Sequence, residues 1–142
     1  FGGAWRLSSL VVPRCVYTEP ELASVGETID GEAGAAAAAG GAIVEYVAPL
    51  RDNDRAILEG ESGDGGFVLV RAREASGEIV GATVLANRAG EIINELSLAI
   101  KAGLGLEALG RNIHPYPTTG EAVMGCGLQW INARWKTMPP RG

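Results

Sequence analysis

Two strand-like segments joined by a short glycine-containing turn constrain the fold of this chain more than any other feature. Residues 67–73 read Phe-Val-Leu-Val-Arg-Ala-Arg, residues 78–86 read Glu-Ile-Val-Gly-Ala-Thr-Val-Leu-Ala, and residues 75–77 between them read Ala-Ser-Gly. β-Branched and aromatic residues favour extended backbone, and glycine favours a tight reversal between two such runs. The sequence therefore predicts a β-hairpin, and with it an antiparallel sheet.

Helical periodicity begins directly after the hairpin. Over residues 89–102 the apolar positions fall three and four residues apart, and Gly103 supplies a C-terminal stop. The apolar face of this predicted helix consists of Ile92, Ile93, Leu96, Ala99 and Ile100. A short helix is predicted over residues 106–109, and a long one over residues 119–135.

The N-terminal segment predicts a strand and a loop. Residues 11–18 are rich in β-forming residues and end at Glu19 and Pro20, where we expect the strand to stop. We expect a loop from there through Gly26.

The segment that follows is of low complexity. Residues 31–41 consist largely of Gly and Ala, so they favour only a short, weakly anchored helix at residues 35–39. Apolar and polar residues then alternate over residues 43–50, which predicts a strand. One helical turn is expected over residues 55–59.

Together these elements predict an α+β fold, in which helices pack on one face of an antiparallel sheet of three or more strands. The chain has 142 residues, of which 46% are hydrophobic, so residues 1–142 suffice for one domain with its own core. The apolar faces of the two long helices are larger than one small sheet readily covers. A buried partner surface would explain them, and so would a core within the domain.

The charge balance argues against several classes of function. Only 12 residues are Lys or Arg and the net charge is -5, so we expect no nucleic-acid partner. The longest apolar runs are too weakly hydrophobic to span a bilayer, so we expect a soluble intracellular protein whose compartment stays open. Phe1 stands where an initiator Met is expected and no signal peptide follows, which suggests a piece of a longer protein.

Most familiar site motifs are missing from the sequence. Glycine is abundant, with 21 residues, but neither a nucleotide-binding spacing nor a G-x-S-x-G elbow occurs. His114 is the sole histidine and has no close set of Cys or carboxylate partners, so we expect no metal site. Cys15 and Cys126 are too far apart for a CxxC site and are expected to be two buried thiols.

The candidate chemistry lies in a proline-rich turn between two predicted helices. Pro115 and Pro117 flank Tyr116 and hold its phenol on a rigid loop. Thr118 and Glu121 fit a T-x-x-E capping box at the start of the last helix. Tyr116 and Glu121 are close enough to meet one shared ligand. The alternatives are that capping alone explains Glu121 and that Tyr116 is an interface aromatic.

Four segments in the same order resemble a known family. They are residues 16–26, Val-Tyr-Thr-Glu-Pro-Glu-Leu-Ala-Ser-Val-Gly, and residues 66–68, 76–82 and 89–103. They are similar to the C-terminal dimerisation domain of the pyridine nucleotide-disulfide oxidoreductases, the flavoenzyme family of glutathione reductase, lipoamide dehydrogenase and mercuric reductase.

The resemblance also suggests roles for the turn. In that family the domain ends in an H-P-T-x-x-E motif, whose histidine is the acid-base partner of a redox dithiol and whose glutamate orients it. Pro117, Thr118 and Glu121 match, and Tyr116 stands in place of the histidine. Tyrosine here looks like the mercuric-reductase branch, although residues 138–142 lack the vicinal cysteine pair typical of that branch. The electron acceptor therefore stays open between a disulfide and a metal ion.

The resemblance further implies cofactors and an assembly. FAD and NAD(P)H, with NADH and NADPH both open, would bind to domains upstream of this chain and not to the isolated fragment. The chain would form a homodimer and lend Tyr116 and Glu121 to the partner subunit's active site, with the backbone of Pro115 and Pro117 approaching the partner's flavin. The alternative is a self-association module that has lost its redox function.

Overall fold

The computed structural model describes residues 10–27, 41–63 and 65–137. Within these residues five strands form one antiparallel sheet: β1 (Arg14–Val16), β2 (Glu21–Gly26), β3 (Ile43–Pro49), β4 (Phe67–Arg73) and β5 (Ile79–Ala86). The spatial order is β1-β2-β5-β4-β3. The α-helices of the same residues are α1 (Asp54–Glu59), α2 (Ala89–Lys101), α3 (Leu106–Arg111) and α4 (Glu121–Thr137), and short 3-10 helices span Leu50–Asp52 and Glu61–Gly63.

The predicted α+β class is confirmed, and so are the β4–β5 hairpin and α2. The predicted loop ending at Gly26 is wrong, because residues 21–26 form β2, which pairs with both β1 and β5. The alternation was present in the sequence: Ala23 and Val25 are buried, whereas Leu22 is exposed. The short helix predicted at residues 35–39 lies outside the described residues.

One face of the sheet carries the core. Val68 and Val70 of β4 lie opposite Val84 and Ala82 of β5, and all four are buried. α2 packs across β2 and β5, whereas α4 packs across β3 and β4, so the helices cover this face as expected. The largest fully buried side chains are Leu50, Leu96, Leu106, Val68, Val70, Val84, Val123 and Cys126.

Helices α3 and α4 meet through glycines. A Cβ atom on Gly127 would lie 2.2 Å from the backbone nitrogen of Gly110 and 2.5 Å from the carbonyl oxygen of Leu106. Only a residue without a side chain allows two helices to approach this closely. The contact fixes how α4 lies against α3 and therefore where the turn between them is held.

The two cysteines differ in their surroundings. Cys126 is buried in α4, and its thiol lies within hydrogen-bond distance of the carbonyl oxygens of Tyr46 (3.4 Å) and Val68 (3.5 Å). Burial raises the pKa of this thiol to about 12. Cys15 is only half-buried, so the prediction of two buried thiols holds for Cys126 alone.

Candidate functional site

The turn between α3 and α4 presents its apolar and aromatic side chains to solvent. Ile113 is 91% exposed and Tyr116 is 70% exposed. The backbone beneath them is fastened, because the Thr118 hydroxyl donates to the Pro115 carbonyl oxygen over 2.8 Å. The Tyr116–Pro117 peptide bond is cis. The Thr118 bond thus joins the two ends of the segment that carries Tyr116.

Tyr116 has one polar partner in another part of the chain. Its hydroxyl donates to Oδ2 of Asp54, the first residue of α1, over 2.6 Å. This hydrogen bond, followed by the charge of the same carboxylate, raises the pKa of the Tyr116 phenol. The two residues are 62 positions apart, so no local sequence pattern could have paired them.

Asn53 joins the start of α1 to the turn. Its side-chain oxygen accepts a hydrogen bond from the Ala56 backbone over 3.0 Å and so caps α1. The amide nitrogen of the same side chain donates to the Thr118 carbonyl oxygen over 3.1 Å. One buried side chain thus fixes the segment carrying Asp54 against the segment carrying Tyr116.

Glu121 begins α4 and forms one half of the predicted capping box. Its Oε2 accepts from the Thr118 backbone amide over 3.3 Å. The Thr118 hydroxyl turns back to Pro115, and the Glu121 amide donates to the Thr118 carbonyl oxygen over 3.3 Å. The helix therefore starts two residues later than the expected Thr119.

An open cavity of about 340 Å³ brings the predicted site residues together. Tyr116 and Glu121 both line it. The other polar lining residues are Asp52, Asn53, Asp54 and Gln129, and the remaining ones are Ala48, Pro49, Ala122, Met124 and Gly125. The cavity can receive a group from another molecule on a surface that carries three carboxyl groups and a phenol.

The two prolines and the histidine lie outside this cavity. Pro117 lines a neighbouring depression of about 270 Å³ with Arg55 and Arg88, and Pro115 is exposed. The His114 side chain is 8% exposed, and its Nε2 lies 2.9 Å from Oε2 of Glu95. The described residues contain no group of three or more His, Cys, Asp or Glu placed to hold a metal ion.

An ion cluster lies beside the Pro117 depression. Arg88 Nη2 lies 2.6 Å from both carboxylate oxygens of Glu59, and Arg55 donates to the same carboxylate. The hydrogen bond from Arg88, followed by that from Arg55, lowers the pKa of Glu59 to about 2. Burial and the neighbouring Glu59 raise the pKa of Glu61.

Comparison with known proteins identifies relatives over most of the chain. The family model for the pyridine nucleotide-disulphide oxidoreductase dimerisation domain matches residues 12–125. The dihydrolipoyl dehydrogenase of Halobacterium salinarum is 42% identical over 113 residues, which cover 80% of this chain and 23% of that protein. The dihydrolipoyl dehydrogenase of Bacillus subtilis is 39% identical over 119 residues, which cover 84% of this chain and 24% of that protein.

Solved structures share the fold. LpdA from Mycobacterium tuberculosis superposes with a TM-score of 0.74 at 25% identity, covering 89% of this chain and 26% of that one. The HOCl-induced flavoprotein disulfide reductase RclA from Escherichia coli gives a TM-score of 0.76 at 24% identity, covering 89% and 28%. The chain thus spans about a quarter of the length of its relatives. Among the described residues, no helix combines the length and apolarity needed to cross a bilayer.

Proposed function

This chain belongs to the dimerisation-domain family of the pyridine nucleotide-disulphide oxidoreductases, and from that premise we propose that it is the homodimerisation domain of a FAD-dependent, NAD(P)H-driven reductase. In the assembled enzyme Tyr116 and Glu121 complete the active site of the partner subunit. The observation that carries the proposal is the state of Tyr116, which is firmly hydrogen-bonded yet 70% exposed. A side chain that is fixed without being packed is suited to contact another molecule.

The turn is suited to contact the flavin of the partner subunit, and the flavin itself would be bound by other domains. Pro115 and Pro117 carry no backbone N–H, so at these positions the turn offers carbonyl oxygens and ring carbons to a flat partner. Pro115 and Tyr116 are exposed, which allows such an approach. When bound in the upstream domains, the flavin supplies the transfer of electrons from NAD(P)H to a cysteine pair.

The chemistry of Tyr116 differs from that of the family's histidine. For a disulfide acceptor the overall reaction is NAD(P)H plus H⁺ plus one disulfide giving NAD(P)⁺ and two thiols. A phenol with an ordinary pKa of 10, raised further by Asp54, does not exchange its proton at neutral pH. Tyr116 therefore positions the acceptor, and Glu121 fixes the turn through the Thr118 amide.

Two acceptors are proposed, each with its own support. Curated relatives named dihydrolipoyl dehydrogenase favour a disulfide. Tyrosine in place of the family's histidine favours a mercuric-reductase-like enzyme that reduces a metal ion. Turnover of NADPH and of NADH with a small disulfide and with Hg(II), measured side by side on the full-length protein, separates the two acceptors and identifies the nicotinamide.

Substitution of Tyr116 tests the site directly. In the full-length protein, Tyr116→Phe should lower kcat about tenfold, because one hydrogen bond to the acceptor is lost, while the dimer persists. Tyr17→Phe is the matched control, since Tyr17 is also exposed, directly follows β1 and lines a cavity other than that of Tyr116. Equal turnover of the two variants would reduce Tyr116 to an interface aromatic.

The visible spectrum tests the parent enzyme. Purified without added cofactor and titrated anaerobically with NADPH, the full-length protein should show flavin bands that bleach. A colourless protein that is still dimeric would support the self-association module that has lost redox function. Light scattering that shows only monomer across the micromolar range would contradict both the homodimeric reductase and the self-association module.

A further inference from the structure

We propose that Asp54 is a positioning residue for Tyr116: its carboxylate accepts the hydrogen bond that the Tyr116 hydroxyl donates, which leaves the phenol oxygen to accept a hydrogen bond from the electron acceptor. The electron acceptor that fits this site is then a molecule whose group beside Tyr116 is neutral or cationic and has its own N–H or O–H donors. This inference rests on the proposed function, since it concerns what the partner's site admits beside Tyr116.

The direction of the hydrogen bond follows from the chemistry of its two ends. A phenol has one hydrogen to donate, and an ionised carboxylate has none. The 2.6 Å contact between Tyr116 Oη and Asp54 Oδ2 therefore uses the single phenol hydrogen. The Tyr116 oxygen turns only lone pairs toward the cavity, and these accept from a donor and repel an anion.

The position of Asp54 is set by its neighbour. Asn53 caps α1 with its side-chain oxygen and holds the Thr118 carbonyl with its side-chain nitrogen. The Asn53–Thr118 hydrogen bond thus joins the two segments one residue from Asp54 and two residues from Tyr116. Because this bond does not involve either of them, Asp54 can be changed without releasing the turn.

The charge of the cavity points to the same class of acceptor. Asp52, Asp54 and Glu121 line it, and no Lys, Arg or His is among the described residues of its wall. Fixed charges of one sign around an open cleft raise the local concentration of the opposite charge and exclude their own. A disulfide with terminal ammonium groups is favoured here over one with terminal carboxylates.

The first test measures the phenol itself. The full-length protein is labelled with ¹³C at tyrosine Cζ, Tyr116 is assigned by its loss in Tyr116→Phe, and the ring is titrated in wild type and in Asp54→Asn. Removal of the Asp54 charge should lower the pKa of Tyr116, because the phenolate no longer faces a carboxylate. Tyr17 and Tyr46 report that the fold is unchanged. An unmoved titration of Tyr116 would overturn the role of Asp54.

The second test measures selection among acceptors. Cystamine, bis(2-hydroxyethyl) disulfide and dithiodiglycolate share one disulfide and differ in terminal charge. The wild type should prefer cystamine to dithiodiglycolate by about tenfold or more in kcat/KM, less at high salt, and Asp54→Asn should narrow the ratio. Equal rates with the two charged compounds would overturn the acceptor class. If the flavoprotein reduces Hg(II) and none of the three disulfides, the acceptor class inferred here is overturned; if it reduces neither, the proposed function fails, and the tyrosine titration still decides the role of Asp54.

Discussion

The crossing of α3 and α4 and the turn that connects them are adjacent in the chain and differ in what holds them. At the crossing, Gly110 and Gly127 let the backbone of one helix contact the backbone of the other. In the turn, Ile113 and Tyr116 stay exposed, and the backbone is held by hydrogen bonds from Asn53 and Thr118. At the crossing, packing holds the two helices together, and the surfaces in contact are buried inside the domain. In the turn, one hydrogen bond from Asn53 and one within the turn hold the backbone, and its side chains stay free to contact another molecule.

The largest effect is expected at the crossing. Gly127→Ala places a methyl group 2.2 Å from the Gly110 nitrogen, where the contact is backbone and cannot rotate away. The free energy of unfolding should fall by about 3 kcal/mol, measured by urea denaturation.

The matched control lies on the same helix. A Cβ on Gly125 would meet only the Ala48 Cβ, at an ordinary 3.6 Å. Gly125→Ala should therefore be neutral or stabilise by up to about 1 kcal/mol through helix propensity. Equal losses in the two variants would show that the close approach of α3 and α4 is not what the crossing depends on.

A smaller effect is expected from the residue that holds the turn. Asn53→Ala removes the cap of α1 and the bond to the Thr118 carbonyl, at a cost of about 1–2 kcal/mol in the free energy of unfolding. Unlike Gly127→Ala, Asn53→Ala should also weaken the hydrogen bond between Tyr116 and Asp54. NMR relaxation should then show faster motion of the Tyr116 ring. Asn94→Ala, which removes one exposed bond to the Gly90 carbonyl, is the control and should change stability by less than about 0.5 kcal/mol.

The smallest effect is expected from acid, and it acts on the polar region. The folded pKa of Glu59 is about 2 against an ordinary 4.5, because Arg88 and Arg55 favour its carboxylate. Its contribution to stability is complete above pH 4.5 and is lost as the pH falls toward 2, since the unfolded chain takes up the proton first.

Urea denaturation across that pH range checks the sign. The difference in unfolding free energy between wild type and Glu59→Gln should shrink on acidification, and it should stay modest because the cluster is open to solvent. Glu107→Gln, which removes an exposed pair with Arg111, controls for the loss of one surface carboxylate. A difference that grows in acid would contradict the assignment.

Local periodicity was enough to predict the β4–β5 hairpin and α2, because each is specified by neighbours in sequence. It failed for β2, because the alternation over residues 21–26 is short and directly follows Pro20, so the segment resembles a loop in the sequence. The expected proximity of Tyr116 and Glu121 is seen, because both line one cavity, while their roles stay a prediction. Asp54 was missed because its partner lies 62 residues away, and only the folded chain brings them together.

The order of the strands has a consequence for how the chain assembles in time. β5 lies between β2 and β4, so the strand that is synthesised last of the five connects the other strands into one sheet. β1 pairs with β2 and β3 pairs with β4, and only β5 joins the two pairs into one sheet. Long-range pairings of this kind close slowly. The sheet is therefore complete only once β5 has been synthesised and has inserted between β2 and β4.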